Sequence, residues 1–288
     1  MIEVNEQAHF SESPIVKFWR RIPVLIRAII SGAFVNSIGV GVWLLSLAVI
    51  PAPWSFFIMG GFLWLYWKYF SGSWWPQSTA EARNKYFRNT KLSAAVWKWG
   101  LLGTFLLVVI FQSAAVLTFR LIEFPAEAAA DYGLDALPLW EAWITVVLAS
   151  LVAGVCEEIG FRGFMQVPLE ERYGPAVGIA IVSIVFTVFH LHQAWAQPVL
   201  LQIFGLSVLY GILAYASGSL IPSIIGHTIM DIFNFSFWWT NLAGNLEFQT
   251  IAATGIDALF IAAVIMFVAS LALFFWVIRK NWAVRKQP

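Results

Sequence analysis

A chain of 288 residues that is 60% hydrophobic, 17% aromatic and only 11% charged is not an ordinary soluble domain, in which about a quarter of residues carry charge. A net charge of +1 gives no bulk basic field for nucleic acid, and the single cysteine, Cys156, excludes an intramolecular disulfide and a Cys-rich metal cluster. With roughly 20 apolar residues needed per membrane-spanning helix, the apolar content fills about eight spans and leaves little for a separate soluble domain.

In chain order, residues 1–23 are polar, contain Pro14 and Pro23, and read as a cytoplasmic N-terminal segment. Apolar runs follow at Val24–Ile50, Trp54–Phe70, Val96–Phe119, Leu139–Phe164, Pro175–His192, Pro198–Ala216, Leu220–Trp239 and Ile256–Ile278. The first is too long for a signal-peptide core and reads as a retained anchor. Pro51 and Pro53 leave almost no loop before the second, so spans one and two form a tight hairpin. The pattern predicts an all-α polytopic membrane protein with about eight transmembrane helices. Residues 24–138 hold spans one to three with a charged surface helix near 79–92, either with Tyr86 and Phe87 available to touch headgroups or plainly solvated. Residues 139–240 hold spans four to seven, and 241–288 hold span eight and a basic tail. Tryptophans at span ends, among them Trp74, Trp75, Trp238 and Trp239, suit an interfacial aromatic belt.

Basic residues orient the chain. Lys17, Arg20 and Arg21 precede span one; Arg83, Lys85, Arg88, Lys91 and Lys98 lie between spans two and three; Arg279, Lys280, Arg285 and Lys286 close the chain. If every run crosses once, these groups share one side. The long loop on the other side has Arg120 among Glu123, Glu127, Asp131, Asp135 and Glu141. Both termini are therefore expected in the cytoplasm.

Ionisable side chains within apolar spans are costly and mark functional sites. Here they are Glu157, Glu158 and Arg162 in span four, His190 with His192 at the edge of span five, and His227 with Asp231 in span seven. Glu158 and Arg162, spaced i, i+4, suit an internal ion pair that holds the site in shape. Depth brings the others together. If spans four and five turn at Tyr173 and Gly174, Glu157 and His190 each lie about 25 Å from that turn at 1.5 Å rise per residue. Spans six and seven turn near Ser217 to Ser219, which places His227 and Asp231 roughly 12 to 20 Å from their turn, and a modest cytoplasmic protrusion of the four-five hairpin would bring all four to one level. Carboxyl and imidazole groups converging from three helices form an acid/base constellation.

Glu157-Glu158-Ile159-Gly160-Phe161-Arg162 fits EExxxR, Phe186 to His190 fits FxxxH, and His227 to Asp231 fits HxxxN with Asp in the last place. In that order and spacing the chain, from about Leu139 to Trp239, resembles the CPBP family, the CAAX proteases and bacteriocin-processing enzymes also called Abi proteins. These are intramembrane glutamic endopeptidases. The resemblance implies a catalytic core of helices four to seven with a cavity open toward the cytoplasm. It implies that Glu157 and His190 activate a water, that His227 and the residue four later, Asp231, stabilise the oxyanion, and that neither cofactor nor metal takes part. The implied substrate is a membrane-associated protein or peptide, and family breadth with modest length points to a multi-pass protein of the bacterial inner membrane.

The chemistry is sound on its own terms. A desolvated carboxyl beside an imidazole takes a proton from water and later passes one to the leaving amine, and donors in a water-excluded site stabilise the tetrahedral oxyanion by about 3 to 4 kcal/mol. Asp231 departs from the pattern, because an ionised carboxylate would repel an oxyanion. It is protonated, it orients His227, or it leaves the donor role to Asn234 one turn on; the protonated form is preferred. Competing readings are a zinc hydrolase on Glu157, His190 and His227, although HExxH is absent, and a cysteine protease using Cys156, which points about 100° from Glu157 on a helix. A non-catalytic membrane scaffold and a proton-coupled transporter complete the set, the latter lacking the expected pair of broken helices.

Overall fold

Prolines and glycines break the apolar runs, and the helices fall between them. The computed structural model describes residues 14–88, 90–123, 133–193, 197–237, 240, 242–243 and 249–286, and every regular element among them is helical. A short α1 (Pro14–Arg21) leads into α2 (Val24–Val49), α3 (Trp54–Phe70) and α4 (Ala80–Tyr86). Next come α5 (Ala94–Leu121) and one continuous 35-residue helix, Leu139–Tyr173, made of α6 (Leu139–Val152), a π-helical stretch (Ala153–Met165) and α7 (Gln166–Tyr173). The chain ends with α8 (Pro175–Phe189), α9 (Gln197–Ser217), α10 (Ile221–Phe237), α11 (Ile251–Thr254) and α12 (Ala258–Arg285). Side chains cap two of the long helices: Ser93 Oγ accepts from the Val96 amide at 3.3 Å and Asp257 Oδ1 from the Phe260 amide at 2.9 Å, satisfying first-turn donors.

Five helices are long and apolar enough to cross a membrane: α2, α5, the 35-residue helix, α9 and α12. Their outward faces are apolar too, with Phe34, Phe105 and Val268 more than half exposed, as befits helices surrounded by lipid. The molecule is a multi-pass membrane protein. Where eight spans were expected, the other three runs form shorter helices, α3 and α10 with 17 residues each and α8 with 15. At 1.5 Å per residue α8 covers about 22 Å, less than the hydrocarbon thickness. It stops because the backbone leaves the helix at His190 (φ −105°, ψ 12°), so His192 sits beyond it on a short 3-10 turn, Leu191–Gln193.

Two surface expectations change. Residues 14–21, read as part of a polar segment, form a helix whose Ile15, Phe18 and Trp19 occupy a different arc from Lys17, Arg20 and Arg21, the pattern of an interfacial helix. The helix expected near 79–92 ends at Tyr86, and Phe87 is buried rather than facing headgroups, 2% exposed with its ring edge-on to Trp67. The reason is a latch. Arg88, at positive φ, turns inward to pair with Glu170 at 2.7 Å, and Thr90 Oγ1 donates to the Gly218 carbonyl at 2.8 Å, tying this segment to the two interhelical turns. Of the acidic loop, Glu127 and Asp131 lie outside the described residues, as do residues 1–13, Trp238 and Trp239.

The π stretch is clamped from two sides. A Cβ on Gly32 of α2 would stand 2.6 Å from the Gly160 carbonyl, and one on Gly160 would stand 2.7 Å from that of Gly32, so the two backbones touch where only glycine fits. On the other side Gly154 faces Thr228 of α10 just as closely. Cys156 turns toward Gly39 and Tyr66, fully buried between α2 and α3, and so away from the histidines. Below the level of Glu157, the buried Phe161, Met165 and Leu169 pack with Val182 and Phe186 of α8.

Candidate active site

Three helices carry the ionisable groups to one place. His190, just past the end of α8, folds its ring back so that Nδ1 lies 2.8 Å from the Phe186 carbonyl. A carbonyl only accepts, so Nδ1 carries the proton and Nε2 the lone pair. That Nε2 stands 3.7 Å from Glu157 Oε2. The ring is stacked on Phe186, centroids 4.2 Å apart and planes at 24°, while the Arg162 guanidinium carbon lies 4.4 Å from the same phenyl centroid. Phe186 thus couples Arg162 to His190.

His227, in the first turns of α10, is held on two sides. Its Nδ1 is 2.9 Å from Glu158 Oε1, and its ring stacks on Tyr210 of α9 at 5.3 Å and 17°. Its Nε2 points toward Asp231 Oδ2 at 3.6 Å and Glu157 Oε2 at 3.9 Å. Glu158 and Arg162 form the expected i, i+4 pair at 3.1 Å with neither side chain exposed, and Arg162 Nη2 donates to Ser207 Oγ at 3.1 Å. Glu157 differs, for its side chain keeps 12% exposure and its Oε2 has no hydrogen-bond partner among the described residues. Asn234, one turn beyond Asp231, accepts through Oδ1 from Gln112 of α5 at 3.0 Å. Among the described residues, no group of three or more His, Cys, Asp and Glu is arranged to hold a metal ion.

Glu157, His190, His227, Asp231 and Asn234 line a cavity of about 460 Å³ whose remaining wall is mostly apolar. Its lining runs from Val40 to Leu47 on α2, Phe111 to Phe119 on α5, Thr145 to Glu157 on the 35-residue helix, Val199 to Leu206 on α9 and His227 to Phe235 on α10. All of it lies on one side of Glu157. On the other side the bundle is solid, with Phe161, Arg162, Met165, Leu169, Tyr210 and Leu213 fully buried.

The sequence motifs name most of this cluster, and the fold brings all seven candidates, Glu157, Glu158, Arg162, His190, His227, Asp231 and Asn234, into it. Tyr210, Ser207 and Gln112 escaped sequence reading. An aromatic, a serine and a glutamine in long apolar runs carry no periodic or charge signal; only their partners, on other helices, reveal them.

Residues 139–233 match the family model described as Type II CAAX prenyl endopeptidase Rce1-like, the same stretch that carries the three motifs. No curated protein and no solved structure matches the chain. Over the matched stretch, about a third of the chain, it is similar to the CAAX-protease-like family.

Proposed function

We propose that the protein is an intramembrane glutamic endopeptidase that hydrolyses a peptide bond in a membrane-associated protein or peptide. The observation that carries this reading is the meeting of Glu157 Oε2 with two imidazole Nε2 atoms, at 3.7 and 3.9 Å, at the floor of a largely apolar cavity. These separations exceed a direct hydrogen bond and suit a bridging water. Glu157 takes a proton from that water while the His190 Nε2 lone pair accepts its second hydrogen bond. The water oxygen attacks the peptide carbonyl carbon, and the proton moves from Glu157 to the leaving amine as the C–N bond breaks.

The oxyanion forms beside His227 and Asp231. Glu158, an acceptor next to Arg162, holds the His227 Nδ1–H, which leaves Asp231 free of the tautomer-setting role. One further proton, shared between His227 Nε2 and Asp231 Oδ2, then provides the donor an oxyanion needs. The Asn234 carbonyl is engaged by Gln112, so its amide group is what it has left to offer. The charge distribution supports both termini in the cytoplasm of a cell membrane, and the family's breadth supports the bacterial inner membrane.

The test is a purified-protein digest of candidate membrane peptides. Glu157→Gln and His190→Ala should each lower turnover at least about a hundredfold, the low end for a lost general base, with the fold intact. Near-normal cleavage by Glu157→Gln would sink the glutamate mechanism.

A further inference from the structure

The resemblance implies a cavity open to the cytoplasm, and the charges imply cytoplasmic termini; the position of the cavity makes these two expectations incompatible. The lining occupies the C-terminal parts of α2, α5 and α8, α10 from His227 onward, and the N-terminal parts of the 35-residue helix and α9, reaching Leu134 in the turn before α6. That is the end of the bundle remote from both chain termini. From Thr145 to Glu157 it descends about 18 Å along the helix, at 1.5 Å per residue.

Of the 17 Lys and Arg, only Arg120 lies at the cavity end and only Arg162 at mid-depth. Arg120 is itself buried and paired with Asp257 at 2.8 Å, so it adds no exposed positive charge there. All the others flank helix ends on the opposite face, where a cytoplasmic loop would carry them. The layer beneath Glu157, with Arg162 and Tyr210 wholly buried, stands between it and that face. At the hollow end, Leu44 and Leu47 of α2 line the cavity while being 60% and 40% exposed on the outer surface, which joins the cavity wall to the lipid-facing surface.

We infer that the site is entered from the non-cytoplasmic face, and that its substrate is an apolar peptide segment lying in the non-cytoplasmic half of the membrane rather than a lipidated tail presented from the cytosol. This rests on the protease reading for the word substrate, and on geometry and charge alone for the direction of access.

Cysteine labelling separates the two. Native Cys156 is fully buried and serves as the silent background. Leu134→Cys at the mouth, Ala149→Cys on the cavity wall and Tyr173→Cys at the opposite end are expressed as full chains and treated with a membrane-impermeant maleimide. In intact cells Leu134→Cys and Ala149→Cys should label, and Tyr173→Cys should label only after permeabilisation. The reverse pattern, or a silent Ala149→Cys beside a labelled Leu134→Cys, overturns the inference. In sealed vesicles of known orientation, synthetic apolar peptides added to the face bearing Leu134 should be cut at least about tenfold faster than those added to the other face; equal rates also overturn it. Labelling requires no catalysis. Reversed labelling with activity still dependent on Glu157 therefore refutes the access direction alone, and labelling as expected with an active Glu157→Gln refutes the protease mechanism alone.

Discussion

Two adjacent glutamates divide the centre of this molecule into a braced region and an open one. Glu158 sits fully buried between Arg162 at 3.1 Å and His227 at 2.9 Å, with Ser207, Phe186 and Tyr210 closing around the guanidinium. Glu157 faces the cavity, and its Oε2 meets His190 and His227 only across 3.7 and 3.9 Å gaps. A buried charge must be paired to be tolerated, whereas a reactive one must keep room for water. Adjacent positions on the stretch 153–165 turn one carboxylate toward the packed half and the other toward the hollow half, the division that the proposed roles of strut and base require.

The largest effect should come from breaking the braced side. Arg162→Ala leaves Glu158 buried without its cation, which costs on the order of 3 to 5 kcal/mol. Replacing both, Glu158→Leu with Arg162→Leu, should be less damaging than the single change. Thermal unfolding in detergent checks the order, and a double variant less stable than either single change counts against the pairing. Next comes Phe186→Leu, which removes the surface that carries both Arg162 and His190; with stacked aromatic and cation–π contacts worth roughly 1 to 2 kcal/mol, turnover should fall about tenfold with little change in KM.

Asp231→Asn probes the open side more gently. An amide donates without needing a shared proton, so activity should be kept or raised and should extend to higher pH. A pH–rate profile showing a steep loss throughout would instead give Asp231 an orienting role. Chelation should have the smallest effect of all. Exhaustive removal of divalent ions should leave cleavage unchanged, and activity lost and then restored stoichiometrically by zinc would put the metal reading first.

The all-helical fold was legible because apolar run length and helix-breaking residues survive any tertiary context; the turns at Gly174 and Gly218 both carry positive φ. The meeting of Glu157 and His190 was legible from helix rise, since residues equidistant from a shared turn lie at one depth, whereas His227, on a hairpin with its own turn, joined them only on the assumption that the four-five hairpin protrudes. Four things were not. The apolar run through 153–165 gives no sign that its helix widens to π geometry. The early end of α8 depends on His190 folding back onto its own helix, and the Glu158–His227 contact joins positions 69 apart. The hollow half was hidden for another reason: which end of a bundle stays unfilled depends on packing among six helices, and no single run encodes it.

The division between the two glutamates is tested most directly by measuring turnover and melting temperature together for Glu157→Gln and Glu158→Gln in the purified protein. The account predicts that Glu157→Gln lowers turnover at least about a hundredfold while the melting temperature is kept or raised, and that Glu158→Gln lowers the melting temperature by several degrees, since it weakens a buried charge pair. A Glu157→Gln variant that melts early yet still cleaves at a near-normal rate would contradict it.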